Sequence, residues 1–343
     1  MTRREINKLV ESGEFPEPTE QRKLIETHIS WVILCDDFVY KIKKPMKYSF
    51  LNFSTAELRK YYCEREIKLN KRLTDNVYLE VVPILQNSGN IMMGGKVGSE
   101  IDYAVKMHKL DGEKQMDRLL ANNKVRPIDI ENLAKKIADF HKTSPVIHTK
   151  DVLTLRGEFN NLTSERDYLS KHCGKEYGEM IDRAVAFTDK FVKKNTELIE
   201  ARLQDGFYRD CHGDLHSRNI FLLPEPVPFD CIEFNDDFRQ IDVLNEIAFL
   251  CMDLEAAGKD DFSELFLKTY KLHFPALRTQ TESDLFDYYK AYRANIRAKV
   301  SSLRARSAST EMEKSNALKT AEKYLTLMNA YIEELERNGN LIS

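Results

Sequence analysis

The apolar pattern turns from mainly strand-like to helical near Met107, and that change limits the fold more than any other feature. Upstream, from Ile29, apolar residues alternate with polar ones as in strands; downstream they recur at helical spacing to the end. Ile29–Leu34 and Phe38–Lys43 flank a Cys35-Asp36-Asp37 turn and predict a hairpin. In its second strand Val39, Lys41 and Lys43 fall on one face and Phe38, Tyr40 and Ile42 on the other. Tyr78–Leu85, Ile91–Met93 and Ile101–Met107 predict further strands, with Asn87-Ser88-Gly89-Asn90 as a turn. The Gly94-Gly95-Lys96-Val97-Gly98 cluster predicts a hairpin loop. It is not a G-x-x-x-x-G-K-[ST] phosphate loop, since Val97 follows the lysine.

Ile6, Leu9 and Val10 predict a helix over 3–12, and Phe15-Pro16-Glu17-Pro18 opens a linker. A capping-box start at Ser54-Thr55-Ala56-Glu57 predicts one helix among the strands, running to Leu73. Later helices are expected at 116–120, 128–141, 175–203, 243–254, 262–273, 283–306 and 309–337. The expectation is an α+β chain: an N-terminal helix and a small antiparallel sheet with one helix over 1–107, then a larger, mainly helical part over 108–343.

Composition excludes several classes of function. A net charge of −3 supplies no bulk field for nucleic acid or an anionic membrane. No apolar run approaches a membrane span, and the start Met1-Thr2-Arg3-Arg4-Glu5 does not read as a secretory signal. Six scattered cysteines without metal-ligand spacing fit a reducing compartment. A cytoplasmic soluble protein without nucleic-acid or membrane partners is expected; nothing in the sequence fixes its oligomeric state.

The helical half is interrupted once, at Cys211–Ile220 and Pro228–Ile232. Asp214 sits in a tight turn, Asn219 follows five residues later, and Asp230 ends an apolar run sixteen residues after Asp214. Phosphoryl transfer needs such a set: a carboxylate near the attacking hydroxyl, with an amide and a second carboxylate holding metal against phosphates. The spacing parallels the protein-kinase loop H-R-D-x-x-x-x-N and its later D-F-G acid, with Gly213 in place of the Arg and no Gly after Asp230. Upstream, Lys41 follows the small residue Val39 by two, as the lysine of V-A-I-K follows its Ala, although Lys43 shares its face. The 54–73 helix carries Glu64 and Glu66, either of which could fix such a lysine.

His212-Gly213-Asp214 with Asn219 resembles the H-G-D-x-x-x-x-N loop of the aminoglycoside phosphotransferase (kinase-like) family. With gaps, the likeness runs from about Ile29 to Leu254. It is nearest to an uncharacterised bacterial branch, on Ile29-Ser30-Trp31-Val32, Tyr40-Lys41-Ile42-Lys43-Lys44-Pro45, Ile232-Glu233-Phe234-Asn235-Asp236 and Tyr292-Arg293-Ala294. Some members of that branch carry a P-loop kinase domain behind this one; without a Walker sequence, the stand-alone form is expected here.

The resemblance implies a bilobal protein-kinase-like fold using ATP and Mg²⁺. Asp214 becomes the base or hydroxyl-orienting group, Asn219 and Asp230 hold Mg²⁺, and Lys41 touches the nucleotide phosphates. Glu66, seven residues before Leu73, positions Lys41 better than Glu64 does. The exit strand at Lys106–His108, centred on Met107, lies against the adenine, and Asp242 backs the catalytic loop. Whether Lys41 or Lys43 meets the phosphates, and whether ATP or GTP is used, stays open. No glycine lies between Trp31 and Asp37, so the segment over the nucleotide is not glycine-rich.

No A-P-E segment follows Asp230, so the expected acceptor is a small-molecule hydroxyl, not a protein. A nucleotide-binding pseudokinase without turnover is the alternative. Two features disagree about the substrate. Glu233 and Asp236, with Asp237 and Asp253, could form an acidic pocket for an amine. Arg293, Arg297 and Arg304 fall within about 40° of one another on a helix, a stripe suited to an anion or to a solvated face.

Overall fold

In the computed structural model, which describes residues 1–339, the chain divides into two compact units. The first comprises Met1–Leu119 and Arg218–Arg239; the second comprises Leu120–Ser217 and the chain from Gln240 onward. This differs from a single cut at 107/108. The first unit reclaims Arg218–Arg239 because that segment is bonded into it: Asp230 N donates to the Tyr78 hydroxyl and Cys231 N to Asn70 Oδ1, both at 3.0 Å.

The first unit is built on a six-stranded antiparallel sheet. Its strands are β1 (Lys23–Glu26), β2 (Ser30–Leu34), β3 (Phe38–Lys43), β4 (Tyr78–Asn87), β5 (Asn90–Met93) and β6 (Ser99–His108), in the order β1-β2-β3-β6-β4-β5. The predicted β2–β3 hairpin is present, with Val32 opposite Lys41. The β4–β5 turn is a two-residue Ser88-Gly89 loop with φ of 49° and 87°, a conformation that glycine takes without steric cost. The edge strand β1, absent from the sequence expectation, is short and largely exposed, too polar to show alternation.

Both faces of β3 are covered, as alternation required. Tyr40 and Ile42 join Trp31, Ile33, Val82 and Ile84 in one apolar cluster, against which Val10 and Phe15 also pack. Val39 joins Cys63, Val77, Tyr78, Val105 and Met107 in the other. Helix α1 (Arg3–Ser12) opens with a Thr2/Glu5 capping box and buries Ile6 and Leu9 in the first cluster. Helix α2 (Ala56–Asn70) is capped by Thr55 and packs on β4 and β6, burying Cys63, Glu66, Leu69 and Asn70. The segment expected as a linker is held down: Glu17 accepts hydrogen bonds from the Tyr40 hydroxyl (2.7 Å) and from Lys106.

The second unit is mainly helical. Helices Pro127–Thr143, Asp260–His273, Gln280–Arg306 and Glu311–Arg337 stand close to their expected bounds, and the 175–203 region is split into Lys175–Lys194 and Thr196–Gln204. Thr154–Asn160 and Arg166–Cys173 are further helices in a stretch without sustained periodicity. At its centre, Val243–Ala256 is buried at every position from Val243 to Leu254. A helix enclosed all round must find internal partners for its polar side chains. Asn245, Glu246 and Asp253 are therefore the informative residues on it. No helix among the described residues is long and apolar enough to cross a membrane.

Candidate active site

The sequence-predicted residues fall into two groups, one in each unit. In the first unit β3 aims Lys41 and Lys43 at α2, whose Glu66 faces them both. Lys41 Nζ donates to Glu66 Oε1 at 2.8 Å, and Lys43 Nζ donates to Glu66 Oε2 at 2.7 Å. Each lysine has a second carboxylate: Lys41 lies 2.5 Å from Asp230 Oδ1, and Lys43 is ion-paired to Glu233. The result is an unbroken alternation, Asp230–Lys41–Glu66–Lys43–Glu233. Glu64 is exposed, so the choice of Glu66 agrees with the geometry.

The two lysines differ in surroundings. The Lys43 side chain is 1% exposed and lies 5.0 Å over the Phe53 ring, whereas Lys41 is 12% exposed and reaches an Asp230 that is 41% exposed. Burial works against the Glu66 carboxylate, but Lys41 and Lys43 outweigh it and hold the carboxyl down at about 2. Glu233 goes the other way: burial pushes its carboxyl above the usual range, and Lys43 does not offset this.

Asp230 has φ of +63°, a left-handed conformation unusual for a residue with a side chain. Strain of this kind persists where neighbours over-determine it, and Tyr78 and Asn70 do so through the backbone amides of Asp230 and Cys231. Asn219 is buried at the foot of the hairpin leading to Asp230, its carbonyl accepting from Phe229 N at 2.9 Å. Met107 pairs with Val39 on β3 and with Tyr78 on β4, in the same apolar cluster. Asp236 lies apart from the lysines, bonded to Arg65 and Arg239. An amide oxygen and a carboxylate, from residues that flank one hairpin, are hard donors of the kind Mg²⁺ takes.

In the second unit the loop His212–Ser217 lies against the buried Val243–Ala256 helix. Glu246 accepts from His212 N at 2.6 Å and from Gly213 N at 2.9 Å. Asp253, seven residues on and so on the same helix face, accepts from Ser217 N and Oγ. Asp242 caps the helix through Leu244 N, as its position before the apolar run led one to expect, but it pairs with buried Arg202 instead of backing the loop. Its backing role falls to Glu246, which faces the loop one helical turn further in.

Asp214 Oδ2 lies 3.4 Å from His216 Nε2, and Arg297 Nη1 lies 3.5 Å from the same nitrogen. Burial raises the Asp214 carboxyl, but His216, Arg297 and His212 prevail and hold it well below the usual range. Arg293 and Arg297 are both buried, which removes the solvated-face reading for these two, whereas Arg304 is exposed. Arg293 donates to Asn245 Oδ1 at 2.6 Å and to the Gly213 carbonyl at 3.2 Å, so its guanidinium holds the loop. The roles of Glu246 and Asp253 were missed although a signal existed: they are acids seven apart inside an otherwise apolar run. Lys43 carried a signal too, sharing the face of Lys41. Tyr78 and Asn70 carried none, since their partners are backbone amides more than 150 residues away.

No protein-family model matches the chain. Uncharacterized proteins of Mycobacterium tuberculosis and Mycobacterium bovis are 32% identical to it over 287 residues, covering 81% of this chain and 54% of theirs. The chain thus spans about half the length of the curated relatives it matches. The crystal structure of a choline/ethanolamine kinase family protein from Mesorhizobium loti superposes over 97% of this chain and 100% of that one, with a TM-score of 0.52 at 10% identity. The fold is the kinase-like one that the resemblance implied.

Proposed function

We propose that this chain is an ATP- and Mg²⁺-dependent phosphotransferase that moves the γ-phosphoryl group to a hydroxyl of a small molecule, acting in the cytoplasm. One observation carries the reading: in a kinase-like fold, a strand lysine is bonded both to a buried helix glutamate and to an aspartate in strained, left-handed backbone.

In this reading Lys41 binds the nucleotide phosphates and Glu66 keeps its ammonium in place. Lys43 is enclosed by Glu66, Glu233 and Phe53, which favours Lys41 for the phosphates. Met107 lines the adenine end. Asn219 and Asp230 would hold Mg²⁺, which when bound neutralises charge on the β- and γ-phosphates. Asp214 accepts the hydrogen bond of the acceptor hydroxyl. A carboxyl held this low stays ionised at neutral pH and is a weak base, so it orients the hydroxyl and takes the proton only as the phosphoryl group arrives. Glu233 and Asp236 are neutralised by Lys43 and by Arg65 and Arg239, which speaks against their forming a pocket for an amine.

The test is ATP consumption with Mg²⁺ against sugars, amino alcohols and aminoglycosides. Turnover on at least one acceptor is expected, with Asp214→Asn lowering kcat by roughly 10²–10⁴-fold at unchanged Tm. No turnover, together with no rise in Tm on adding ATP and Mg²⁺, would sink the proposal; a Tm rise without turnover would favour a nucleotide-binding pseudokinase.

A further inference from the structure

The lysine–glutamate–aspartate contact accounts for three of the five charges in the first unit and leaves Lys43 and Glu233 unexplained. Glu66 is fully buried and its two carboxylate oxygens are divided, Oε1 to Lys41 and Oε2 to Lys43. If Lys41 turned toward a phosphate with no other cation present, Glu66 would become a buried unpaired charge. Such a charge is costly enough to pull the lysine back or to displace the acid.

Lys43 removes that difficulty. It cannot leave, because its side chain is closed off from solvent, paired on its far side to Glu233 and seated over the Phe53 ring. Glu233 is buried as well and lies in the segment that follows Asp230, so the strand, α2 and the metal-acid segment meet at one fixed ammonium.

We infer that Lys43 and Glu233 are positioning residues that anchor Glu66 independently of Lys41, freeing Lys41 to exchange Asp230 for a nucleotide phosphate. This rests on the phosphotransferase reading for the identity of the ligand, but the anchoring itself is a property of the nucleotide-free chain. Glu66 is then the fixed point of the site and Lys41 its moving part.

The test has two arms, both on the full chain. In the first, nucleotide-free crystal structures of Lys41→Met and of the double variant Lys43→Met/Glu233→Gln are compared with the wild type. The double variant removes both ends of the buried pair, so no unpaired charge is created between them, and Lys41 remains as a cation for Glu66; circular dichroism checks that it folds. Glu66 should keep its place on Lys43 in Lys41→Met and leave it in the double variant. A displaced Glu66 in Lys41→Met, or an unmoved one in the double variant, would overturn the inference. In the second arm, calorimetry with ADP and Mg²⁺ should show the double variant binding roughly tenfold more weakly than wild type, the size of one lost charge-assisted hydrogen bond. In a Lys41→Met/Glu66→Gln background, where no buried carboxylate is left without a cation, the same pair of changes should weaken binding no further. A merely structural pair would weaken both backgrounds equally, and that result also overturns the inference. Absence of nucleotide binding by the wild type would refute the proposed function, and the first arm would then decide the anchoring alone.

Discussion

Replacing Glu246 by Gln offers the sharpest test of how the His212–Ser217 loop is held. The wild-type carboxylate accepts two backbone amides, His212 N on Oε1 and Gly213 N on Oε2, wholly out of contact with water. Glutamine keeps the shape but turns one acceptor oxygen into an NH₂ donor, so one of those amides faces another donor. A hydrogen bond to a charged group contributes about 1.5–3 kcal/mol, and the surviving bond falls to the ~1 kcal/mol of a neutral pair. The expected loss is about 3 kcal/mol. For a cooperative unit the size of the second one this lowers Tm by roughly 6–12 °C, at ~2–4 °C per kcal/mol. Alanine, which leaves both amides unpaired, should cost more than glutamine. The assay is calorimetric melting combined with amide hydrogen exchange. In Glu246→Gln the protection of His212 and Gly213 should fall by about tenfold or more, while that of Ser217, held by Asp253, changes least. A Tm within 1 °C or so of wild type, with both amides still protected, would refute the reasoning.

Lys41→Met should raise the affinity of the nucleotide-free protein for Mn²⁺ by about tenfold, because the ammonium no longer competes for Asp230; unchanged binding by electron paramagnetic resonance would separate Asp230 from the metal role. Acid should destabilise the fold with a definite sign. The Glu66 carboxyl is lowered to about 2, so its contribution is complete above the ordinary glutamate value of ~4.3 and lost as pH falls through its folded value. Tm should therefore drop between about pH 4.3 and 2, and Glu66→Gln should flatten part of that drop; Glu233, with its raised carboxyl, acts above this window and in the opposite direction. Tyr78→Phe deprives Asp230 N of its acceptor and should cost about 1–2 kcal/mol in urea unfolding, with the left-handed turn at Asp230 relaxing in a crystal structure.

The sequence by itself determined the segregation of sheet from helices, because side-chain periodicity is local: the β2–β3 hairpin, the capped α2 and the long C-terminal helices stand near where alternation and helical spacing put them. It also determined that Asp214 and Asn219 share one short segment, since they are five residues apart. The pairing of Lys41 with Glu66 was legible for a related reason, each lying on the correct face of its own element.

What only the tertiary structure decided are the partners of buried charges. Arg293 and Arg297 have the same helical phase whether they face water or the protein interior, and only packing reveals that both are enclosed. Glu233 and Asp236 read as an open acidic cluster until the fold brought Lys43 to one and Arg65 to the other. Asp242 and Glu246 lie one helical turn apart on a buried helix, and which of them backs the loop depends on where the distant amides of His212 and Gly213 arrive. A charge can be buried only with its partner, and the partner here is supplied by chain far away in sequence. Local pattern therefore reveals that a charged residue is placed among apolar ones, whereas the three-dimensional fold alone determines what neutralises it.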